Sequence, residues 1–137
     1  HGVFNFITAS AYEYNMQFNL ENNPAKYQIN GYTTNSVTVN NQIYTLPILV
    51  MPQYFSLWDL NHIETLSQQH LLALLTIKPE VILLGTGNKL IFPNPAITQV
   101  LFAQRIGLEI MTTAAACRTY TALSAEGRNV LAALWQG

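Results

Sequence analysis

Cys117 is the single cysteine of the chain, and Arg118 follows it directly. A thiol near a helix start and beside a cation is the setting that lowers a cysteine pKa and makes a nucleophilic thiolate. The opposing reading is a small apolar side chain packed behind Ala114-Ala115-Ala116, the ordinary fate of a buried free cysteine. A cysteine nucleophile needs a base within hydrogen-bond reach, and His62 and His70 lie far upstream. Thr119 continues the same polar stretch and is a candidate contact with it.

Gly85-Thr86-Gly87 follows the apolar run Val81-Ile82-Leu83-Leu84. The carboxyl ends of such strands are where open α/β sheets hold ligands, and two glycines let a backbone approach an anion closely. The residues after the turn do not complete a known cradle. A dinucleotide fingerprint wants a small residue where Leu90 stands, and Asn88-Lys89-Leu90 is not the Gly-Lys-Ser/Thr of a phosphate loop. Ligand contact and plain turn geometry both remain open.

Arg118, Glu126 and Arg128 form the one local charge cluster. They are read either as an ion pair that sets the angle between the last two helices, which suits arginine's bidentate geometry, or as an anion or partner contact. His62 and Glu64, with Asp59 nearby, lack the spacing of a His-Glu-x-x-His metal site. No metal site, no cofactor and no catalytic residue is assigned. The candidate binding residues are therefore Gly85, Thr86, Gly87, Cys117, Arg118, Thr119, Glu126 and Arg128.

Composition narrows the function classes. The chain has 137 residues, half of them apolar, and only 9% carry charge, against roughly 25% in an average soluble protein. A weakly charged surface repels its own copies poorly, which favours a protein partner or a homo-oligomer. The net charge is −1 with no basic run, so a phosphate-tracking nucleic-acid surface is not expected. No apolar stretch approaches the roughly 20 residues that cross a bilayer, so no membrane insertion is expected. A lone cysteine makes no internal disulfide, and a reducing cytoplasm is the expected location.

These residues need elements to hold them. The chain reads as one domain, residues 1–137, with residues 1–24 a loosely held arm bearing at most a strand near 13–20. From Tyr27 the apolar period is two: Tyr27, Ile29 and Gly31, then Val37 and Val39, alternate with polar residues. Asn40-Asn41 supplies the positive φ of a hairpin turn. The returning strand is expected over 42–51, with Pro47 at an edge or bulge, and a short strand at 54–58.

Beyond it, a capping box from Thr65 to Gln68 opens a helix with Leu66, Leu71, Leu74 and Leu75 on one face, ended by Lys78-Pro79. Val81 to Leu84 reads as a strand covered on both faces. Asn94-Pro95 starts a helix, Gly107 is placed at its left-handed end, and Leu108 to Met111 is a strand. Thr113 caps a helix that bends at Ser124, and Val130, Leu131, Leu134 and Trp135 share a face of a last helix. The order β-β-β-α-β-α-β-α predicts an α/β fold in three layers: a mixed sheet covered by helices, with an N-terminal β-meander.

The segments Pro79 to Gly87 with Phe92-Pro93, Gly107 to Tyr120, Ile29-Asn30-Gly31 and Glu126-Gly127-Arg128 resemble the Mth-nine-three-eight-like domain of unknown function, over about residues 27 to 135. That family includes a mitochondrial factor for assembly of respiratory complex I. The resemblance implies a three-layer mixed-sheet fold and no established reaction. It also implies a carboxylate at or beside position 112 and Asn at 121, where this chain has Thr, which weakens any shared acid–base chemistry. The function expected is a non-enzymatic interaction module, tied to assembly of a respiratory or membrane-associated complex. The alternative is a small-ligand or anion-binding protein, or an enzyme, using the Gly85–Gly87 turn with Arg118.

Overall fold

Asn40 and Asn41 both adopt positive φ, 50° and 69°, and close a tight hairpin as expected of Asn in this role. The structure, a computed structural model, describes residues 23–137. The expected strand near 13–20 lies outside the described residues. The hairpin joins β2 (Ser36–Val39) to β3 (Gln42–Thr45), and β1 (Ile29–Tyr32) pairs antiparallel with β2 on its other side. The inward side chains of β2, Val37 and Val39, are buried, whereas Ile43 of β3 is exposed.

The chain leaves this sheet at Leu46-Pro47 and enters a second one. The single strand expected over 42–51 is therefore two strands in two sheets. Pro47 has no N–H to give a ladder, so the break falls there. β4 (Ile48–Met51) and β5 (Tyr54–Leu57) form the antiparallel side of a five-stranded sheet. Its order is β5-β4-β8-β6-β7, where β6 is Val81–Gly85, β7 is Gly107–Met111 and β8 is Val130–Leu134. β6 is parallel to both β7 and β8, and β4 is antiparallel to β8.

β8 corrects the sequence reading, which made Val130 to Trp135 a helix. The run Val-Leu-Ala-Ala-Leu is buried at every position because it is the central strand. A short continuous apolar run does not distinguish strand from buried helix by period, and burial on both faces decided it. Val130, Ala132 and Leu134 point to one core, and Leu131, Ala133 and Trp135 to the other. β6 divides in the same way, with Val81 and Leu83 on the first side and Ile82 and Leu84 on the second.

Helices fill the two faces. α1 (Gln68–Leu74) and α2 (Pro95–Ala103) bury Leu71, Leu74 and Leu101 against the second face. α3 (Thr113–Ala125) lays Ala116, Cys117 and Tyr120 on the first, beside the three-stranded sheet. The fold is thus α/β with a mixed sheet between helices and an N-terminal strand meander.

Local signals held in part. Asn94 caps α2 by accepting from the Ala96 amide, with Pro95 in the first turn. The capping box belongs to Ser67 and His70 rather than Thr65 and Gln68: the Ser67 hydroxyl accepts from the His70 amide, and the Ser67 amide donates to His70 Nδ1. The left-handed residue after α2 is Arg105, φ 59°, and Gly107 opens β7. Thr112, not Thr113, caps α3, which runs without a bend through Ser124, and Gly127, φ 83°, follows its end. Ser124 is buried and held by Asn23 Nδ2 at 3.0 Å.

Candidate functional site

Gly85 ends β6 where α3 crosses it. A Cβ there would lie 2.8 Å from Leu134 Cδ2, 3.0 Å from Thr113 Cα and 3.1 Å from Ala116 Cβ, so only glycine allows helix and strand to approach this closely. Gly87 has φ 91°, the left-handed region that other residues enter at a cost. Its amide donates to Thr113 Oγ1 at 2.8 Å, and the Thr113 amide donates back to its carbonyl at 3.0 Å. The Thr113 hydroxyl donates in turn to the Trp135 carbonyl at 2.6 Å. The Thr86 hydroxyl donates to the Lys89 carbonyl and accepts from the Ile91 amide. The turn thus clamps the ends of β6 and β8 to the start of α3.

Cys117 lies in the second turn of α3, facing the sheet, 2% exposed. Burial pushes its thiol up from 9.0 to about 12, and the neighbouring Arg118 charge offsets only part of that. Such a thiol stays protonated at neutral pH. Arg118 is exposed and donates from Nη1 to the Tyr32 hydroxyl at 2.9 Å, tying α3 to the end of β1. Thr119 is half-buried on the same helix.

Glu126 and Arg128 lie past the other end of α3. A helix of 13 residues is about 20 Å long, so these two stand at the opposite rim from the glycine turn. Arg128 Nε donates to Glu80 Oε1 at 3.0 Å, and the Asn129 amide donates to Glu80 Oε2 at 3.0 Å. The backbone hydrogen bond from Asn129 and then the one from Arg128 hold the Glu80 carboxyl below the usual range. Among the described residues Arg128–Glu80 is the ion pair formed; the one read among Arg118, Glu126 and Arg128 is not, because α3 runs on unbroken through Ser124 and Arg128 engages Glu80 instead. The structure therefore brings the glycine turn to the start of the Cys117 helix and leaves Glu126 and Arg128 apart from them.

Two surface features add residues that sequence reasoning did not single out. A cavity of about 330 Å³ opens at the carboxyl ends of β6 and β8, lined by Thr86, Asn88 and Lys89, by Trp135, Gln136 and Gly137, and by the segment Asn61 to Glu64, with Ile91. The Trp135 indole donates to the Leu60 carbonyl at 2.7 Å and lies 5.1 Å from Trp58, centroid to centroid. Gln136 was hidden because β8 read as a helix, so the rule about strand ends was not applied to it.

The second feature is an apolar groove of about 820 Å³ beside β7, lined by Phe92, Pro93, Pro95, Phe102, Leu108 and Ile110 among others. Phe92 and Phe102 are 68% and 65% exposed. β7 is one of the two edge strands of the five-stranded sheet. Gly107 donates to Glu80 and Met111 accepts from Thr86 on the β6 side, so by the alternation of a parallel ladder the N–H and C=O groups of Leu108 and Ile110 face outward. Among the described residues no group of three His, Cys, Asp or Glu is placed to hold a metal ion, and no helix is long and apolar enough to cross a membrane.

A family described as "Protein of unknown function (DUF498/DUF598)" matches residues 29–135. NADH dehydrogenase (ubiquinone) 1 alpha subcomplex assembly factor 3 of Drosophila melanogaster is 30% identical over 113 residues, covering 77% of this chain and 57% of that protein. The chain thus spans less than two thirds of that relative's length. The NMR structure of a Xanthomonas campestris protein matches with a TM-score of 0.73 at 36% identity, over 80% of this chain and 83% of the other. The solution NMR structure of a Bordetella pertussis protein described as a Mth938-like domain matches with a TM-score of 0.69 at 26% identity, over 79% and 84%. With nearly all of its described length matched in both sequence and fold, the chain belongs to the DUF498/DUF598 family.

Proposed function

We propose that the protein is a non-enzymatic interaction module that holds an unassembled subunit of a respiratory or membrane-associated complex. The observation that carries this reading is the exposed pair Phe92 and Phe102 on the groove beside the β7 edge. Similarity to an NADH dehydrogenase assembly factor supplies the class of partner. An extended apolar segment of that subunit adds to β7 through the outward groups of Leu108 and Ile110, the mode in which main-chain hydrogen bonds give affinity and side-chain pockets give selection. Apolar side chains of the segment cover Phe92 and Phe102, since large aromatic residues in a desolvated patch dominate such contacts. The sparse charge of the surface, 9% of all residues, adds little desolvation cost to the union. A cytoplasmic site of action, where the buried Cys117 thiol stays reduced, goes with this reading.

The test is affinity capture from a native extract with the wild-type chain and with a Phe92→Asp/Phe102→Asp variant, followed by quantitation of respiratory-complex subunits. Such subunits are expected with the wild type and depleted about tenfold or more with the variant, as for a loss of ~1.4 kcal/mol. The variant should stay folded, because exposed substitutions usually change stability by no more than about 0.5 kcal/mol. Recovery of the bait alone under gentle conditions, or equal capture by the variant, overturns the reading. Light scattering that shows a wild-type dimer dissolved by the variant assigns the groove to a second copy instead.

A further inference from the structure

The order of the parallel strands reverses at β6. The chain passes from β6 through α2 to β7 on one side, then returns through α3 to β8 on the other. Open α/β sheets hold their ligands outside the carboxyl ends of the strands at such a reversal. The cavity of about 330 Å³ lies there, against Thr86 just past β6 and Trp135-Gln136 just past β8. That volume falls at the small end of ligand cavities, roughly 300–1,000 Å³.

The side chains of the lining include one ammonium, Lys89, and one carboxylate, Glu64, beside the imidazole of His62, and Lys89 and Glu64 form no ion pair with each other. A ligand with a single net charge would match one of them and oppose the other. A ligand with both signs matches both. Ile63, Ile91 and Trp135 add apolar surface to the wall, and the Trp135 indole N–H is already engaged with Leu60, so this side of the cavity suits a hydrocarbon group. Thr86 fixes the backbone of the loop that bears Lys89 through its bonds to the Lys89 carbonyl and the Ile91 amide, so this wall of the cavity is formed before any ligand arrives.

We infer that this cavity binds a small zwitterion of the free amino-acid class, with its carboxylate toward Lys89 and its ammonium toward Glu64. The site is separate from the β7 groove, and its occupancy does not depend on a protein partner. Both charged residues are exposed, so each pairing is weak, and a dissociation constant of ~1 mM is the expected scale.

The inference is tested by titrating the ¹⁵N-labelled chain with pools of the twenty standard amino acids, read by amide chemical shifts. Isobutyrate serves as the carboxylate-only probe and isobutylamine as the ammonium-only probe. Saturable shifts are expected at Thr86, Asn88, Lys89 and Gln136 with at least one amino acid, and binding about threefold weaker with either single-charge probe. Lys89→Gln and Glu64→Gln should each weaken that amino acid about threefold while leaving the rest of the spectrum in place. Absence of saturable shifts at these amides up to ~10 mM overturns the proposal. So does isobutyrate or isobutylamine binding as tightly as the amino acid, or an unchanged titration by both variants.

Discussion

Gly87 and Thr113 hold each other by two hydrogen bonds, the Gly87 amide to the Thr113 hydroxyl and the Thr113 amide to the Gly87 carbonyl. The same hydroxyl donates to Trp135, so one side chain joins the loop after β6, the start of α3 and the exit from β8. The pair also closes the carboxyl rim beside the cavity.

Thr113→Val keeps the shape of the side chain and removes the hydroxyl. It leaves the Gly87 amide without its acceptor and takes a donor from the Trp135 carbonyl at a position 5% exposed. A loss of about 2–3 kcal/mol is expected, read from the midpoint of urea unfolding. A midpoint unchanged from wild type would mean that the clamp carries little of the stability.

Gly87→Ala and Gly127→Ala separate strain from collision. Both positions have positive φ, 91° and 83°. A Cβ at Gly87 would sit 2.7 Å from the Gln136 carbonyl oxygen and 2.7 Å from Gly137 Cα, whereas at Gly127 no atom of the described residues lies within 4 Å. Gly127→Ala should cost about 1–2 kcal/mol for its backbone conformation alone. Gly87→Ala should cost clearly more, and equal thermal midpoints for the two would contradict the close approach of the chain end.

Cys117 should alkylate slowly with iodoacetamide at neutral pH. Its thiol lies near 12 rather than 9.0 because burial disfavours the thiolate, which lowers the reactive fraction about a thousandfold. The unfolded chain releases this proton from about pH 9 while the folded chain retains it until about 12, so the contribution to stability is full below the first value and lost as the pH rises between them. Tyr120, also raised by burial, contributes in the same direction to wild type and variant alike. Urea unfolding from pH 8 to 11 should therefore show wild type losing stability faster than Cys117→Ala.

Glu80→Gln should weaken the fold at neutral pH and make little difference in acid. The Asn129 amide and the Arg128 side chain favour the Glu80 carboxylate, which lowers its pKa in the folded state. Its contribution is present above the ordinary carboxylate value of about 4.3 and is lost as the pH falls through the lower folded value. Thermal midpoints of the two proteins should converge as the pH is lowered, and a gap constant with pH would exclude this linkage.

Much of the fold was legible where one local cause sufficed. Asn40-Asn41 had to turn the chain because few other residues accept that φ, and Asn94-Pro95 had to open a helix because both side chain and ring suit its first turn. Gly107 misled because Arg105 took the left-handed position, and Thr65 because Ser67 was the better placed cap. Of the cavity residues only Thr86 was named from the sequence as a binding candidate: Glu64, Lys89 and Gln136 are far apart in the chain and meet only at the rim of the sheet.

What the order of residues determined by itself was the alternation of strands and helices as far as α3, the glycine turn after a fully apolar strand and the family. These rest on short-range rules of φ, capping and period. Tertiary structure alone decided that Val130–Leu134 is a central strand, that Cys117 is sealed and that Arg128 pairs with Glu80 instead of Glu126. Those outcomes depend on which surfaces exclude water together, and that is a property of the packed layers rather than of any segment within them.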